Sequence, residues 1–380
     1  MLVFGLMSGT SMDGITAAAV EVGGEADNFS FDLLDWKTTS YSPCLKEELL
    51  EVTDNGSVGT ICRLNIEVGK AFAKAAQDLQ ERLGTTPDLI GSHGQTVCHL
   101  PSGQERGSTY TLQIGDGDVI ADSTSVETVS DFRMRDVAAG GEGAPLIPYV
   151  DWKLFRSEAN NRCTLNLGGI ANVTYLPAGG ILSDITAFDT GPANMVMDYL
   201  MRELTDGRLQ YDPDGNWAAR GQVDEDLLNW LLSHDFIHKP PPKSTGRVDF
   251  GPRYAVKFKK RAERKGLSAQ SMVATVNEFS ARSVYENCSR WLGPIDELIV
   301  SGGGAENETL MSSLRKHFSC EINESTKYGV PAEPKEALGF AILAYETYRR
   351  KPANVPQATG ARTRTVLGKI SPTVEVNLDE

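Results

Sequence analysis

The chain has 380 residues, more than one hydrophobic core usually serves and enough for two domains. Hydrophobic residues make up 40% and charged residues 23%, ordinary for a globular chain, and no run approaches the ~18 apolar residues of a membrane-spanning helix, so disordered and membrane-spanning classes are excluded. The 37 basic residues stand against 51 acidic ones, a formal net charge of -14, and no dense block of Lys or Arg offers a track to a nucleic-acid backbone. A cytoplasmic protein with neither membrane nor nucleic-acid partner is expected. Leu2, Val3 and Phe4 run straight into Gly5 with no charged leader, and the scattered cysteines read as reduced thiols.

In chain order, residues 2–6 predict a short strand, 8–14 a polar turn and 15–22 the returning strand, a hairpin with a polar tip. Residues 57–83 carry apolar side chains at helical spacing and stop before Gly84. A brief strand at 88–91 leads into Ser92-His93-Gly94-Gln95-Thr96, read as a polar strand end. The hairpin pattern returns half a chain later, with 163–167 and 170–176 flanking Gly168 and Gly169, which suggests a duplicated domain. A strand-like 185–188 and helices over 191–205 and 272–292 follow, with 208–242 between them reading as a linker. A strand at 297–300 enters Gly302, Gly303 and Gly304, and Pro334 opens a helix through Arg349. Alternating strands and helices with polar strand ends predict an α/β fold with ligands at the strand ends.

The tip Gly9-Thr10-Ser11-Met12-Asp13-Gly14 offers amides, hydroxyls and a carboxylate suited to a phosphate and Mg²⁺, although Asp-Gly is also an ordinary turn pair. The second tip, with Gly168 and Gly169, is of the same kind, and two such tips facing across a cleft would hold a polyphosphate. Gly302, Gly303, Gly304 and the following Asn307 suit a nucleoside. Asp189 reads as a general base or, more cheaply on spacing alone, as the cap of a helix opened by Pro192, and Glu336 as a metal ligand or, again more cheaply, as a dipole-compensating carboxylate. His93 reads as a structural histidine in isolation. Arg133 and Arg135 suit a substrate carboxylate or pair with Asp131 and Asp136. No metal is assigned to His234 and His238.

Taken in order, Gly5-Leu6-Met7-Ser8-Gly9-Thr10-Ser11-Met12-Asp13-Gly14, Ser92-His93-Gly94-Gln95-Thr96, Leu112-Gln113-Ile114-Gly115-Asp116, Asp131-Phe132-Arg133, Gly140-Gly141-Glu142-Gly143-Ala144-Pro145-Leu146, Asn166-Leu167-Gly168-Gly169-Ile170-Ala171-Asn172, Asp189-Thr190-Gly191-Pro192, Lys243-Ser244-Thr245-Gly246-Arg247 and Glu336-Ala337-Leu338 resemble the anhydro-N-acetylmuramic acid kinase family. The resemblance implies two ribonuclease H-like, actin-like ATPase domains flanking a nucleotide cleft, here 1–132 plus 355–380 and 133–354. It implies ATP and Mg²⁺ as cofactors, a small sugar as partner and a homodimer. The implied reaction opens the 1,6-anhydro ring of 1,6-anhydro-N-acetylmuramic acid with water and phosphorylates O6, giving N-acetylmuramic acid 6-phosphate and ADP in cell-wall recycling. By the same analogy Asp189 is the catalytic base. Gly9, Thr10, Ser11, Met12, Asp13, Gly14, Ile15, Thr16, Gly168, Gly169, Gly302, Gly303, Gly304 and Asn307 hold the nucleotide. His93, Gln95, Arg133, Gly143 and Asn194 face the sugar, and Asp13 and Glu336 lie near the metal. Ala193 departs from the Gly usual in the family, a change a helical backbone tolerates. Levoglucosan kinase, or a non-catalytic actin-like nucleotide-binding module, remain the alternatives; Gln113 to Asp116 and Gly140 to Gly143 tip the choice toward the muramic acid. The role of the Lys243 to Arg247 stretch does not follow from spacing.

Overall fold

The structure is a computed structural model that describes residues 1–24, 28–101 and 109–373. The chain forms two compact units, Met1–Lys153 with Glu333–Glu380 and Leu154–Ala332. These bounds differ from the expected 132/133 and 354/355, because helix Lys335–Tyr348 packs on the first sheet and helix Ile147–Phe155 is tied to it by buried Lys335–Asp151 and Lys153–Glu346 pairs. Residues 374–380 of the expected first domain lie outside the described residues.

In the first unit, β1 (Leu2–Ser8), β2 (Gly14–Gly23) and β3 (Ser30–Ser40) form an antiparallel meander. β4 (Leu89–Leu100) and β6 (Thr128–Ser130) extend it in parallel on the other side of β1. β5 (Tyr110–Ile114) pairs with β4. In the second unit, β7 (Arg162–Leu167), β8 (Ile170–Leu176) and β9 (Thr186–Pro192) repeat the meander. β10 (Glu297–Ser301) and β11 (Glu321–Glu324) repeat the parallel extension, giving the order β11-β10-β7-β8-β9. β12 (Lys369–Ser371) completes the first sheet beside β6. Three antiparallel strands followed by two parallel ones, twice over, is the ribonuclease H-like plan of the actin-like fold, and the half-chain echo between hairpins reflects it.

Local chemistry explains the main elements. Helix Val58–Leu83 starts where Ser57 Oγ accepts the Thr60 amide, buries Leu64, Val68, Phe72 and Leu79 along one stripe, and stops at Gly84 in the left-handed region. Helix Lys335–Tyr348 is apolar almost all round because it is buried, and it lies directly on the sheet at Gly5 and Gly91, which are register partners on β1 and β4. A Cβ on Gly5 would stand 1.8 Å from Ala337 O, and one on Gly91 2.4 Å from Phe340 O. These paired glycines let backbone meet backbone and fix the start of the helix, hence the place of Glu336.

Three expectations are corrected. Residues 92–96 are not a strand end, since β4 continues through them to pair with β5 from Gln95↔Ile114 to Leu100↔Tyr110. The helix predicted from 191 begins at Met195, because β9 keeps its pairing with β8 as far as Ile170↔Pro192. The stretch 208–242 is no linker: Leu227, Leu228, Leu231, Phe236 and Ile237 are buried in the core with Phe250, Phe258 and Phe279. Gly5→Val is expected to destabilise the protein by at least about 1–3 kcal/mol by overpacking this contact. Chemical denaturation of the two proteins side by side checks it, and equal stability would contradict the close helix–sheet contact.

Candidate active site

In the first unit the β1–β2 turn closes through the Met12 amide donating to Gly9 O at 3.2 Å. Met12 and Ile15 drop their side chains into the core, so of the expected nucleotide residues these two offer only backbone. Thr10, Ser11 and Asp13 stay exposed, and their amides find no protein acceptor among the described residues. That is the donor-rich concavity an anion needs. Gln95, completely buried, braces the tip from β4: its Nε2 donates to Gly9 O at 3.1 Å, and Ser8 Oγ donates to its Oε1 at 2.7 Å. The expected sugar contact is therefore committed to shaping the tip.

Asp13 and Glu336 line one cleft of about 150 Å³ with Ser11, Thr16, Thr38 and Glu333. Partial burial works against the Asp13 carboxylate, but hydrogen bonds from Lys46, at 2.7 Å, and Ser11 hold it below the usual range. Glu336 reaches solvent, yet the protein packed around its carboxyl raises it, with Arg133 and Lys335 pulling the other way. Carboxylate and hydroxyl oxygens suit Mg²⁺. Among the described residues no three His, Cys, Asp or Glu side chains cluster for a metal, so an ion here would draw its remaining ligands from phosphate and water.

His93, Arg133 and Gly143 come together as expected candidates for one face. Arg133 Nε donates to His93 Nε2 at 3.1 Å and Arg133 Nη1 to Gly143 O at 2.8 Å. Burial and the charge of Arg133 push His93 well below its ordinary value, so it is neutral, with Nδ1–H donating to Gly94 O at 2.9 Å and Nε2 accepting. Neither flanking aspartate pairs with Arg133: Asp131 meets Lys369, and the fully buried Asp136 organises the glycine loop. Asp136 accepts the Gly143 amide at 2.9 Å, Asn354 Nδ2 at 2.8 Å and Thr359 Oγ1 at 2.8 Å.

In the second unit, the Gly168 and Gly169 amides donate to no protein acceptor among the described residues, while both carbonyls are held, Gly168 O by the Asn194 amide and Gly169 O by those of Ala193 and Met195. Asn194, expected at the sugar, spends its Nδ2 on Leu167 O at 3.0 Å, behind the tip. Ala193 is buried and free of positive φ, which accommodates its Cβ. The chain leaving β10 passes close behind the same tip: Gly302 has φ +85, and a Cβ there would lie 2.7 Å from Asn166 Oδ1, so only glycine fits. Gly303 faces open space and Gly304 packs against Leu167. Asn307, expected in the nucleotide set, uses its Oδ1 to cap helix Glu308–His317 by accepting the Leu310 amide at 2.9 Å, while its Nδ2 meets Met197 Sδ at 3.8 Å.

Asp189 is not the cap of a helix; it sits in β9 opposite Asn172, with its carboxylate gripped on one side. Its Oδ2 accepts Ser244 Oγ at 2.9 Å and the Thr245 amide at 2.8 Å, and Oδ1 accepts no hydrogen bond among the described residues. Burial raises its pKa to about 6, against the hydrogen bonds from Thr245 and Ser244 and the charge of Lys243. One oxygen held, one available and a proton affinity near neutrality are the properties of a general base.

A family model described as anhydro-N-acetylmuramic acid kinase matches residues 1–373. The chain belongs to the anhydro-N-acetylmuramic acid kinase family. It is 42% identical over 97% of its length to the anhydro-N-acetylmuramic acid kinase of Caldanaerobacter subterraneus subsp. tengcongensis, covering 96% of that protein. It is equally 42% identical to the one of Salinibacter ruber, over 97% of this chain and 96% of that one. Among solved structures, the activator of the 2-hydroxyisocaproyl-CoA dehydratase from Clostridium difficile aligns over 92% of this chain and 96% of its own, at 13% identity and a TM-score of 0.47, too loose a likeness to bear on function.

Within this family member, the braces Asp136 and Gln95 and the 243–245 turn are the parts that sequence reasoning missed or misplaced. The adjoining Lys-Ser-Thr-Gly string was the one signal that pointed to the turn. Because the folded Asp189 pKa lies above its unfolded value of 3.8, its ionisation weakens folding once pH rises through about 6, and this cost vanishes as pH falls toward 3.8. Asp189→Asn is therefore expected to melt higher than wild type at pH 7.5, the gain shrinking toward pH 4.5. Thermal melts at both pH values check the sign, and a less stable variant at pH 7.5 would contradict the burial of the charge.

Proposed function

We propose that the protein is an ATP-dependent kinase that opens the 1,6-anhydro bridge of 1,6-anhydro-N-acetylmuramic acid with water and phosphorylates O6, releasing N-acetylmuramic acid 6-phosphate and ADP in cell-wall recycling. Family membership over residues 1–373 supports the reaction class. The single observation that carries the chemistry is Asp189, a carboxylate with one anchored oxygen and a pKa near 6.

In this reading Asp189 Oδ1 takes a proton from the water that attacks C1. The C1–O6 bond breaks, O6 bonds to the γ-phosphorus, and the bond from that phosphorus to the β-phosphate bridge breaks, leaving ADP. The sugar oxygen becomes a nucleophile in the position it already occupies, so positioning supplies much of the acceleration. In the first unit the exposed amides of Thr10, Ser11 and Asp13 suit phosphate oxygens; in the second unit those of Gly168 and Gly169 offer the same kind of donor, and the backbone of 302–304 suits the nucleoside. The neutral His93 and Arg133 meet the sugar, with Arg133 available to a carboxylate. Asp13 and Glu336 hold Mg²⁺, which when bound neutralises phosphate charge. A cytoplasmic homodimer completes the reading and rests on the family resemblance; among the described residues no helix is long and apolar enough to cross a membrane.

ADP release from purified protein is expected with 1,6-anhydro-N-acetylmuramic acid and Mg²⁺, and neither without sugar nor, at comparable rate, with levoglucosan. No sugar-dependent release would sink the reading. Asp189→Asn is expected to keep ATP affinity while kcat falls by roughly 10²–10⁴-fold, the span of a lost general base. A near-normal rate would remove Asp189 from that role.

A further inference from the structure

The 243–245 turn that grips Asp189 is itself held by a half-buried ammonium. Lys243 Nζ donates to Phe236 O at 3.0 Å, Ile237 O at 3.2 Å and Asn287 Oδ1 at 2.5 Å, which uses its three protons on neutral acceptors. It also lies 4.7 Å from the Phe236 ring centroid. Among the described residues it makes no ion pair within salt-bridge distance, so its charge is held by neutral acceptors alone. Its backbone faces the base as well: Lys243 O accepts the Asp189 amide at 3.1 Å.

Asn287, 1% exposed on helix Ala269–Trp291, closes the circuit by donating Nδ2 to Thr190 O at 3.1 Å and Ser283 O at 2.8 Å. Thr190 is the residue after Asp189. Strand, turn and helix are thus tied in one ring that passes through the carboxylate's own peptide.

We propose that Lys243, locked by Asn287, is a positioning residue for the base: it fixes the Ser244–Thr245 donors on Asp189 Oδ2 and sets a positive charge behind the carboxylate. Asn287 senses both ends of the ring and makes the placement depend on the helix. Other charged groups face the ring too. Arg290, on the same helix, and Lys239, beyond Asp235–His238, add positive field at Lys243, and Thr245 Oγ1 donates to Asp249 at 2.6 Å. Burial lowers Lys243 to about 8, so it carries its charge at neutral pH, and that charge counts among the influences that favour ionised Asp189. The inference rests on the kinase reading for its catalytic meaning, while the tuning of Asp189 is measurable without any substrate.

Carbon NMR of the full chain labelled with ¹³C-aspartate, with the Asp189 signal assigned through Asp189→Asn, tests it. Wild type is expected to titrate with a midpoint of about 6. Lys243→Met is expected to move that midpoint upward by roughly one unit, a tenfold change in the ionisation constant. In turnover assays the same variant is expected to lose roughly 10–10²-fold in kcat, with the acid limb displaced in the same direction and KM for ATP unchanged. If Lys243→Met does not fold, Asn287→Ser, which frees the ammonium from the ring, is read by the same titration and is expected to shift it likewise. A folded variant whose Asp189 midpoint stays put overturns the inference. Absence of sugar-dependent turnover in wild type overturns the kinase reading instead, and the substrate-free titration then decides the role of Lys243 by itself.

Discussion

A half-buried carboxylate, with one oxygen fastened and the other open, is the constraint around which the second unit is built. Ionised Asp189 is costly to bury, and the Thr245 amide, the Ser244 hydroxyl and the Lys243 charge offset only part of that cost, which leaves the group near pH 6. Such a compromise gives the carboxylate a proton affinity useful at neutral pH. It also explains why β9 runs on through Pro192 before the next helix begins: the pairing with β8 fixes residue 189 in a strand, where no helix N-terminus competes for its oxygens.

The duplicated sheet plan supplies the rest. In each unit the first hairpin ends in a tip whose amides point outward while its carbonyls or neighbouring side chains are tied down, by Gln95 in the first and by the start of helix Met195–Leu204 in the second. Free N–H groups on a braced backbone are what a phosphate recognises. Helix Lys335–Tyr348, seated on Gly5 and Gly91, delivers Glu336 to the cleft that Asp13 lines, so a packing contact in the core decides where an acidic pair stands at the surface.

Much of this was legible in the sequence wherever the determinant is local. Ser57 and Gly84 mark the ends of the long helix, alternating apolar residues mark the hairpins, and small residues mark both tips. What escaped is non-local. Asp189 ahead of Gly-Pro reads more readily as a cap than as a base until the β8 pairing is seen. Asp136 looked like an ion-pair partner of Arg133, yet its partners Asn354 and Thr359 lie 218 and 223 residues away. The hold on Lys243 depends on Asn287, 44 residues on, a separation no spacing rule spans. Asn307 carries a local role that the glycine cluster before it overshadowed: its side chain caps the helix that follows.

In the proposed reaction water attacks the anomeric carbon while O6 departs to phosphorus. A single turnover in H₂¹⁸O, quenched quickly and read by mass spectrometry, tests this directly. One ¹⁸O is expected in the product sugar, on C1, with none in the transferred phosphoryl group and none at O6. Label appearing in phosphate, or a phosphorylated sugar without ¹⁸O, would contradict that course of bond making and breaking.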